Sequence, residues 1–259
     1  MKEMLNLVVT ENQQLNPAHH LIKFSTIDNS ILPEMLPGQF VDVRVENSPK
    51  TFLRRPISVN FFDRENNQLW LLIQIIGDGT RKMSQYKKGD TVNIIYPLGN
   101  SFSFPKSKDS KILLVGGGVG IAPMLYWGAV LCKQGYKPKF LLGARSQSDL
   151  LQLDEFSKYG DFHCTTEDAS FGEIGYVTNH SILKDSEFTN IYTCGPKPMM
   201  IAVARYAHQH GIECEVSLEN TMACGFGTCL CCVENTKKGN VCVCTEGPVF
   251  NIKDLKWID

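Results

Sequence analysis

Residues 111–135 read KILLVGGGVGIAPMLYWGAVLCKQG, and this stretch decides the fold of the segment around it. Four apolar residues precede three consecutive glycines, and a longer apolar stretch follows Pro123. A short apolar run that ends in glycines and continues into a longer apolar segment is typical of a buried strand, a tight turn and a helix. The pattern therefore predicts the first strand–turn–helix unit of a parallel sheet.

Further strands follow the same plan toward the C terminus. Helical stretches are predicted at residues 150–158 and 197–210, between some of the strands. Strands that alternate with helices indicate a parallel sheet with crossover helices. We therefore predict an α/β domain over residues 105–217, with further strands at 137–146 (KPKFLLGARS), 162–168 (FHCTTED), 190–196 (NIYTCGP) and 213–219 (ECEVSLE).

Residues 1–104 show a different pattern, in which short runs rich in Val, Ile, Leu and Phe are separated by Pro, Gly, Asn and Asp. Several short strands at this spacing predict a small antiparallel β-barrel. A helix is predicted at residues 80–86. The six strand candidates are LNLVVT (5–10), HLIKFST (20–26), FVDVRVE (40–46), ISVNFF (57–62), LWLLIQII (69–76) and TVNIIYPLG (91–99).

Residues 218–259 are dominated by glycine and cysteine as far as Pro248 and contain few large apolar side chains. Such a segment cannot build its own hydrophobic core, so a metal centre is the natural means of holding it together. The sequence as a whole therefore predicts an α+β multidomain chain with a barrel, an α/β domain and a small metal-binding domain.

Composition and charge exclude several classes of function. Lys and Arg number 26 against 27 Asp and Glu, so there is no chain-wide positive field to attract nucleic acid. The first residues, MKEMLNLVVTENQQLN, lack the apolar stretch of a secretory peptide, and we expect a cytosolic protein. The strongest apolar run, Leu69 to Ile76, is far shorter than the roughly 20 residues that span a bilayer, so no membrane segment is expected.

Six of the ten cysteines lie between Cys224 and Cys244, in MACGFGTCLCCVENTKKGNVCVCTEGPVF (222–250). The spacing of Cys224, Cys229 and Cys232 is C-x4-C-x2-C, which is that of plant-type [2Fe-2S] ferredoxins. The intervening glycines allow the loop to turn tightly and to aim amide groups at anionic sulfur atoms. The motif therefore predicts a [2Fe-2S] cluster.

Two alternatives to an iron-sulfur cluster remain open for these cysteines. A zinc site also uses four thiolates, although zinc ribbons favour two C-x2-C pairs. The second alternative is a set of buried thiols that bind no metal. Spacing favours Cys232 over its neighbour Cys231 as the third ligand. Spacing does not decide between Cys242 and Cys244 as the fourth.

Two glycine turns indicate a nucleotide site. GGGVGIAP (116–123) follows one predicted strand and opens a helix, where Gly117, Gly118 and Gly120 can offer amide groups to a pyrophosphate. It departs from G-x-G-x-x-G at Ile121, and a turn needed only for strand-to-helix geometry is the alternative. CGPKPMM (194–200) repeats the arrangement with Cys194, Gly195 and Pro196 at the same predicted sheet edge. Cys194 is either beside a nicotinamide ring or a small buried residue.

Two elements of the barrel segment could bind a flavin. RRPISV (54–59) offers a cation and a hydroxyl at the start of a strand. GDGT (77–80) opens the predicted short helix, whose first amides could take a phosphate. Both could equally be ordinary barrel turns.

In order along the chain, RPIS, G-x-GT, GGGVGIAP, CGP and the terminal cysteines resemble the ferredoxin reductase-like flavoproteins. MACGFGTCLCCV and VCTEGPVF more narrowly resemble the electron-transfer subunits of type B dihydroorotate dehydrogenase. The resemblance implies Cys244 as the fourth cluster ligand, because it shortly precedes Glu246-Gly247-Pro248. It implies domains at residues 1–104 for FAD, 105–217 for NAD and 218–259 for the [2Fe-2S] cluster.

The resemblance also implies which residues bind FAD. Asp78 stands between the two glycines of GDGT, where the family usually has Lys, which leaves a side-chain phosphate contact there in doubt. In the cysteine segment, Cys231 stands where the family usually has a residue that does not bind the cluster. The implied FAD-binding residues are Arg55, Pro56, Ile57, Ser58, Leu72, Ile73, Gln74, Gly79 and Thr80.

The activity implied is electron transfer from dihydroorotate oxidation, at the FMN of a partner catalytic subunit, through the cluster and FAD to NAD+. The complex is expected to be a heterotetramer with two copies of each subunit. Alternatives are an NAD(P)H–ferredoxin or sulfhydrogenase-type reductase subunit and, from another class, a zinc-stabilised nucleotide-binding module. Candidates for the docking face are Phe226, Leu230, Val249 and Phe250, which could equally pack the small domain itself.

The preference for NAD over NADP comes mainly from the resemblance. Arg145 follows the second predicted strand of the nucleotide domain and could meet a 2′-phosphate. No acidic residue follows that strand directly to bond the ribose.

Overall fold

The computed structural model of the chain describes residues 2–185 and 187–258, except for the side chain of Asp185. The first half is a closed barrel of six strands in the order β1-β2-β5-β4-β3-β6, in which all neighbours are antiparallel. The predicted barrel is therefore confirmed. Its strands are β1 (Glu3–Asn16), β2 (His19–Thr26), β3 (Phe40–Val43), β4 (Arg55–Asp63), β5 (Gln68–Gln74) and β6 (Thr91–Leu98), with α1 (Asp78–Met83) between the last two.

Side chains that point alternately inward and outward along each strand supply the apolar core of the barrel. In β2, for example, Ile22 and Phe24 are completely buried in the barrel core, while Lys23 between them extends over the ring of Trp70. Successive side chains of a strand point to opposite faces, so this alternation directs one set of residues inward. The α1 helix starts two residues earlier than the sequence predicts, because the extended backbone of Gly77 begins the helical turn.

The second half is a seven-stranded sheet in the order β10-β9-β8-β7-β11-β12-β15. Strands β7 to β12 are parallel, and β15 runs antiparallel to β12 at one edge. The strands are β7 (Ile112–Gly117), β8 (Lys139–Ala144), β9 (Phe162–Thr166), β10 (Glu173–Ile174), β11 (Asn190–Cys194), β12 (Glu213–Ser217) and β15 (Val249–Asn251).

Helices cover both faces of this sheet, which explains why all six residues of β7 are buried. One apolar layer contains Trp127 of α2, and the other contains Val203 of α5. The chain order reverses between β7 and β11, and ligands of such sheets bind at this switch point, beyond the carboxyl ends of the strands. The helices are α2 (Ala122–Lys133), α3 (Leu153–Ser157), α4 (Ile182–Asp185) and α5 (Lys197–Gln209).

The cysteine-rich segment contains the hairpin of β13 (Val233–Thr236) and β14 (Gly239–Cys242), followed by the short helix α6 (Val243–Glu246). Its last strand, β15, belongs to the large sheet, and Leu218 N donates to Pro248 O at 2.8 Å beside it. The segment is thus attached to its neighbour by strand pairing. The predicted domain boundaries themselves stay predictions.

Among the helices within residues 2–185 and 187–258, none is both long and apolar enough to cross a lipid bilayer.

Candidate functional site

Amide-to-sulfur hydrogen bonds link the four predicted cluster ligands of the cysteine loop in two pairs. Cys229 N donates to Cys224 Sγ at 3.4 Å, and Cys244 N donates to Cys232 Sγ at 3.4 Å. A two-iron cluster takes four thiolates, two at each iron. Within the described part of the chain, no three His, Cys, Asp or Glu side chains converge closely enough to hold one ion. This pairing of the predicted ligands is compatible with a two-iron cluster.

The backbone of the loop favours anionic sulfur. Burial opposes ionisation of Cys224, but amide groups of Phe226, Cys229 and Thr228 donate to its thiol and lower its pKa to about 6. Gly225 and Gly227 have φ values of 76° and 88°, which an L side chain rarely adopts. The glycines predicted to shape a cluster loop therefore have the required backbone conformation.

Both candidates for the fourth ligand lie near Cys232. Val243 N donates to Cys232 O at 2.9 Å, so Cys242 and Cys244 flank the residue opposite Cys232. Cys244 is buried, whereas Cys242 is partly exposed, and burial raises the pKa of both thiols. Burial and the contact of its amide with Cys232 Sγ support Cys244, whose assignment stays a prediction.

The barrel holds the backbone that follows Cys244. Asn100 Nδ2 donates to Thr245 O at 3.3 Å and to Glu246 O at 2.9 Å, and Asn100 N donates to Gly247 O at 2.7 Å. The last carbonyl groups of a helix have no partner within the helix. Asn100 therefore supplies donors to the C-terminal end of α6, which carries Cys244.

Asp42 connects the cluster loop to the barrel. It is only 2% exposed, and a Cβ atom on Gly225 would lie 2.9 Å from its Oδ2. Burial, together with the nearby Cys224, raises the pKa of Asp42 to about 7 against the opposing charge of Arg54. Sequence reasoning missed this residue, although an acidic residue inside the apolar run FVDV was a signal.

The predicted flavin residues lie where two strands separate. Strand β4 pairs with β5 only from Val59 opposite Leu71 to Asp63 opposite Gln68. Residues 55–58 instead pair with β3 on their other side, and residues 72–74 pair with β2. The facing backbone edges of 55–58 and 72–74 are therefore left open between β4 and β5. This cleft suits a flat ring, and the residues predicted from RPIS and LIQ line it.

The side chains in this cleft have different roles. Leu72 and Ile73 are buried in apolar layers, so only their backbone can face a ligand. Ile57 packs against the barrel core, while Pro56, Ser58 and Gln74 remain partly exposed. The side chains available to a ligand in the cleft are therefore those of Pro56, Ser58 and Gln74.

Arg55 and the GDGT turn meet at one end of the cleft. A Cβ atom on Gly79 would lie 2.7 Å from Arg55 Nε, so the absence of a side chain lets the guanidinium group lie against the start of α1. Arg55 Nη1 donates to Leu53 O at 2.8 Å, which orients the group. Thr80 Oγ1 accepts from Ile76 N at 3.0 Å, so this hydroxyl stabilises its own turn. A cation beside helix amide groups fits a phosphate.

The two glycine turns of the nucleotide domain contact each other backbone to backbone. A Cβ atom on Gly120 would lie 2.5 Å from Gly195 Cα, and one on Gly195 would lie 3.1 Å from Gly117 N. Gly118 has a φ of 55°, and a Cβ atom there would meet nothing within 4 Å. The turns thus lie at the switch point of the sheet, with Gly118 facing open space where a pyrophosphate could approach.

Cys194 and Pro196 contribute to this contact from β11 and the start of α5. Cys194 is fully buried, and burial raises the pKa of its thiol well above the ordinary value. Pro196 Cδ lies 3.3 Å from the position of a Cβ atom on Gly117. The Cys194 side chain therefore packs inside the protein, and its backbone approaches Gly120.

The sheet also brings acidic residues to the strand end occupied by Arg145. Glu167 N donates to Ala144 O and Asp168 N donates to Arg145 O, each at 3.2 Å. These acids follow β9, the parallel neighbour of β8, so both strands end at the same edge. Sequence reasoning missed them because they lie more than 20 positions beyond Arg145, and only the pairing of β8 with β9 brings them to it.

Two family models match the chain. The model described as the iron-sulfur cluster binding domain of dihydroorotate dehydrogenase B matches residues 219–256. The model described as the oxidoreductase NAD-binding domain matches residues 114–205. These ranges contain the thiol pairs and the glycine turns, respectively.

Curated relatives match over most of their length. The electron transfer subunit of dihydroorotate dehydrogenase B (NAD+) from Fusobacterium nucleatum is 35% identical over 255 residues, covering 96% of each chain. The corresponding subunit from Shouchella clausii is 36% identical over 225 residues, covering 85% of this chain and 86% of that protein.

Solved structures share the fold. A structure of NADH-dependent reduced ferredoxin-NADP oxidoreductase aligns with a TM-score of 0.86 and 28% identity, covering 98% of this chain and 90% of that one. The FAD/NAD binding domain of nitric oxide dioxygenase from Vibrio cholerae aligns with a TM-score of 0.68 and 19% identity, covering 82% of this chain and 98% of that one. The second likeness supports the fold alone.

We expect Cys244→Ser to remove the [2Fe-2S] cluster and Cys242→Ser to retain it, because Cys244 is the buried thiol next to Cys232. Iron and sulfide content and the visible absorption of the purified protein measure the outcome. Loss of the cluster in Cys242→Ser with retention in Cys244→Ser would contradict the ligand assignment.

We expect Asp42→Asn to stabilise the chain at neutral pH. The pKa of Asp42 is about 7 in the folded protein against 3.8 ordinarily, so folding retains a proton that the unfolded chain releases. Stability should fall as pH rises between these values, by up to about 4 kcal/mol in total, and Asp42→Asn should abolish that loss.

Urea unfolding of the wild type and Asp42→Asn, near pH 5 and near pH 8, measures this difference in the free energy of unfolding. Asp109→Asn, which alters an exposed carboxylate, is the control. A difference between Asp42→Asn and wild type that does not grow with pH would refute the expectation.

Proposed function

The chain belongs to the family of dihydroorotate dehydrogenase B electron transfer subunits, and on this premise we propose that it carries electrons between a catalytic partner subunit and NAD+. The partner would oxidise dihydroorotate to orotate at a bound FMN. This chain would hold the [2Fe-2S] cluster, FAD and NAD. We place the complex in the cytoplasm, where a reducing environment preserves thiolate ligands.

The observation that carries this proposal is that neighbouring strands of the barrel contact the cluster loop and line the flavin cleft. Asp42, which contacts Gly225 of the cluster loop, lies on β3 opposite Pro56 of β4. Pro56 belongs to the edge that lines the cleft between β4 and β5. Adjacent strands of one barrel thus hold both redox sites, which favours transfer of electrons between them.

Each of the three sites has its own residues in this proposal. Cys224, Cys229, Cys232 and Cys244 would hold the cluster, residues 55–58, 72–74, 79 and 80 would hold FAD, and the turns at 117–120 and 194–196 would hold NAD. When bound, the cluster passes single electrons, and the flavin converts between single electrons and a hydride. The protein would position these groups relative to one another.

The proposed docking face for the catalytic subunit surrounds the cluster loop. Phe226 is 46% exposed and Leu230 is 65% exposed. Phe226 lines an open concavity of about 410 Å³, whose other residues are Lys2, Glu3, Met4 and Ile95. Exposed apolar groups of this kind mark interaction surfaces. Val249 and Phe250, the other candidates from the sequence, are 9% and 8% exposed and pack within the protein instead. Pairing two copies of each subunit is part of the proposal.

A second candidate function is supported by one observation. The ferredoxin-NADP oxidoreductase structure aligns over almost the whole chain, so the fold is also compatible with a ferredoxin-type partner. The identity to the Fusobacterium nucleatum subunit favours dihydroorotate. The family model over residues 219–256 disfavours the zinc alternative.

The function is tested with the purified complex of this chain and an FMN-bearing dihydroorotate dehydrogenase subunit. We expect NADH to form when dihydroorotate and NAD+ are added under anaerobic conditions, and we expect Cys244→Ser to abolish it. A complex that reduces ferredoxin but produces no NADH from dihydroorotate would support the second candidate. A colourless chain that contains zinc would contradict both.

We expect NAD+ to be preferred over NADP+ because Glu167 and Asp168 would bond the ribose hydroxyls and repel a 2′-phosphate. The double variant Glu167→Gln/Asp168→Asn should lower the ratio of kcat/KM for NAD+ to that for NADP+ by about tenfold or more. Asp161→Asn is the control. Asp161 precedes β9, at the end opposite to Glu167 and Asp168, so this variant should leave the ratio unchanged. An unchanged ratio in the double variant would contradict this role.

We expect Phe226→Asp to weaken binding of the catalytic subunit by about tenfold or more, because it places a charge in the apolar docking face. Titration of one purified subunit with the other measures the Kd, and iron content verifies that the cluster is intact. Phe171→Asp changes an exposed phenylalanine of the nucleotide domain and is the control. Equal weakening by both variants would count against this docking face.

A further inference from the structure

Strand β4 contains a bulge at Asn60, next to the flavin cleft. Val59 lies opposite Leu71, but Phe61 lies opposite Trp70, so Asn60 is the extra residue in the register. A bulge re-aims side chains and is frequent beside active sites. Here two consecutive residues, Asn60 and Phe61, face the nucleotide domain, while Val59 and Phe62 on either side of them pack into the barrel core.

The side chain of Asn60 is completely buried and bonds two parts of the nucleotide domain. Its Nδ2 donates to Gln152 Oε1 at 3.0 Å, and Gln152 Nε2 donates back to Asn60 Oδ1 at 3.1 Å. Nδ2 also lies 3.3 Å from Ala122 O, at the first residue of α2. The glycine turn that would receive the nucleotide immediately precedes Ala122.

Gln152 has an unusual backbone conformation at this contact. Its φ is 57°, in the left-handed region that a residue with a long side chain rarely adopts. It stands at the start of α3, where Glu155 N and Phe156 N donate to its carbonyl group at 2.9 and 3.1 Å. Unfavourable backbone conformations persist where the surrounding structure enforces them, and they concentrate at functional sites.

The aromatic residues beside Asn60 add to the same contact. The ring of Phe61 lies 5.5 Å from that of Tyr126 on α2 and 6.0 Å from that of Tyr159. Tyr126 OH donates to Met35 O of the barrel segment at 2.8 Å. Helix α2, which follows the nucleotide turn, is therefore fixed to β4, which lines the flavin cleft.

We propose that Asn60 and Gln152 are positioning residues that hold the nucleotide turn at the orientation needed for hydride transfer to or from the flavin. The inference rests on the proposed function. Asn60 touches neither cofactor site directly: it lies two residues after Ser58 on β4 and bonds the start of α2. Hydride transfer is sensitive to the separation and alignment of the two rings, so a small rotation of α2 relative to β4 slows it.

The test uses the holoprotein with FAD and the cluster bound, in three single variants and one double variant. Asn60→Ala removes the two hydrogen bonds between Asn60 and Gln152 by changing the barrel residue. Gln152→Gly removes them from the nucleotide side and also relieves the left-handed backbone, so this variant should fold even if Asn60→Ala does not. Asn12→Ala is the control, because Asn12 Nδ2 donates to Ser84 O and Tyr86 O within the barrel alone.

Stopped-flow reduction of the bound flavin by NADH gives the rate constant for hydride transfer and the Kd for NADH. We expect Asn60→Ala and Gln152→Gly to lower the rate constant by about tenfold or more, with the Kd within about twofold of wild type. We expect Asn12→Ala to alter neither. Because the two residues act as one unit, Asn60→Ala/Gln152→Gly should be no slower than the slower single variant.

Amide hydrogen exchange of residues 150–158 provides a readout that is independent of activity. Exchange there should be faster in Asn60→Ala and Gln152→Gly and unchanged in Asn12→Ala. Wild-type rate constants and exchange in Gln152→Gly would overturn the proposal, as would an equal loss of rate in Asn12→Ala. A wild-type protein that NADH does not reduce would contradict the proposed function, while the exchange measurement would still report on the contact between Asn60 and Gln152.

Discussion

The separation of β4 from β5 on the N-terminal side of Val59 is the constraint on which the arrangement of the sites depends. On one side of this point the strands pair and close the barrel. On the other side their backbone edges are open, and RPIS and LIQ line the cleft between them. The bulge at the same point turns Asn60 and Phe61 toward the nucleotide domain. One irregularity in a strand register therefore opens the flavin cleft and provides the surface on which α2 is fixed.

The barrel serves as the common support for the other two parts of the chain. Asn60 bonds the start of α2 and Gln152, while Asn100 bonds the carbonyl groups after Cys244. In both cases a side-chain amide donates to carbonyl groups across the contact. At Asn60 the contact is buried, where a carbonyl group without a donor would be costly. Asp42 adds a third contact, in which Gly225 allows the cluster loop to approach a buried carboxylate. The relative positions of the sites follow from polar contacts as well as apolar packing.

Local patterns in the sequence were sufficient for much of the fold. The six barrel strands and the main strands of the parallel sheet follow from apolar runs punctuated by glycine, proline and asparagine, because each strand buries its own side chains. The α5 helix, predicted over 197–210, spans Lys197–Gln209. The α3 helix, predicted from Leu150, begins only at Leu153, because Gln152 before it adopts a left-handed conformation. Strand β15 was not predicted, since its three residues pair with β12 only after the whole sheet has formed.

The sequence by itself determined the chemistry of the sites: thiols at C-x4-C-x2-C spacing, glycine turns that offer amide groups, and an arginine before a strand. These features depend on residue type and on separations of a few positions, which the chain fixes locally. The tertiary structure decided which groups meet. It grouped the thiols as two pairs, buried the side chains of Leu72, Ile73 and Cys194, and brought Glu167 and Asp168 beside Arg145. It also placed Asp42, Asn60 and Asn100 at the contacts between domains. Such contacts join residues far apart in the chain, and their partners depend on strand order and register, which no local pattern encodes.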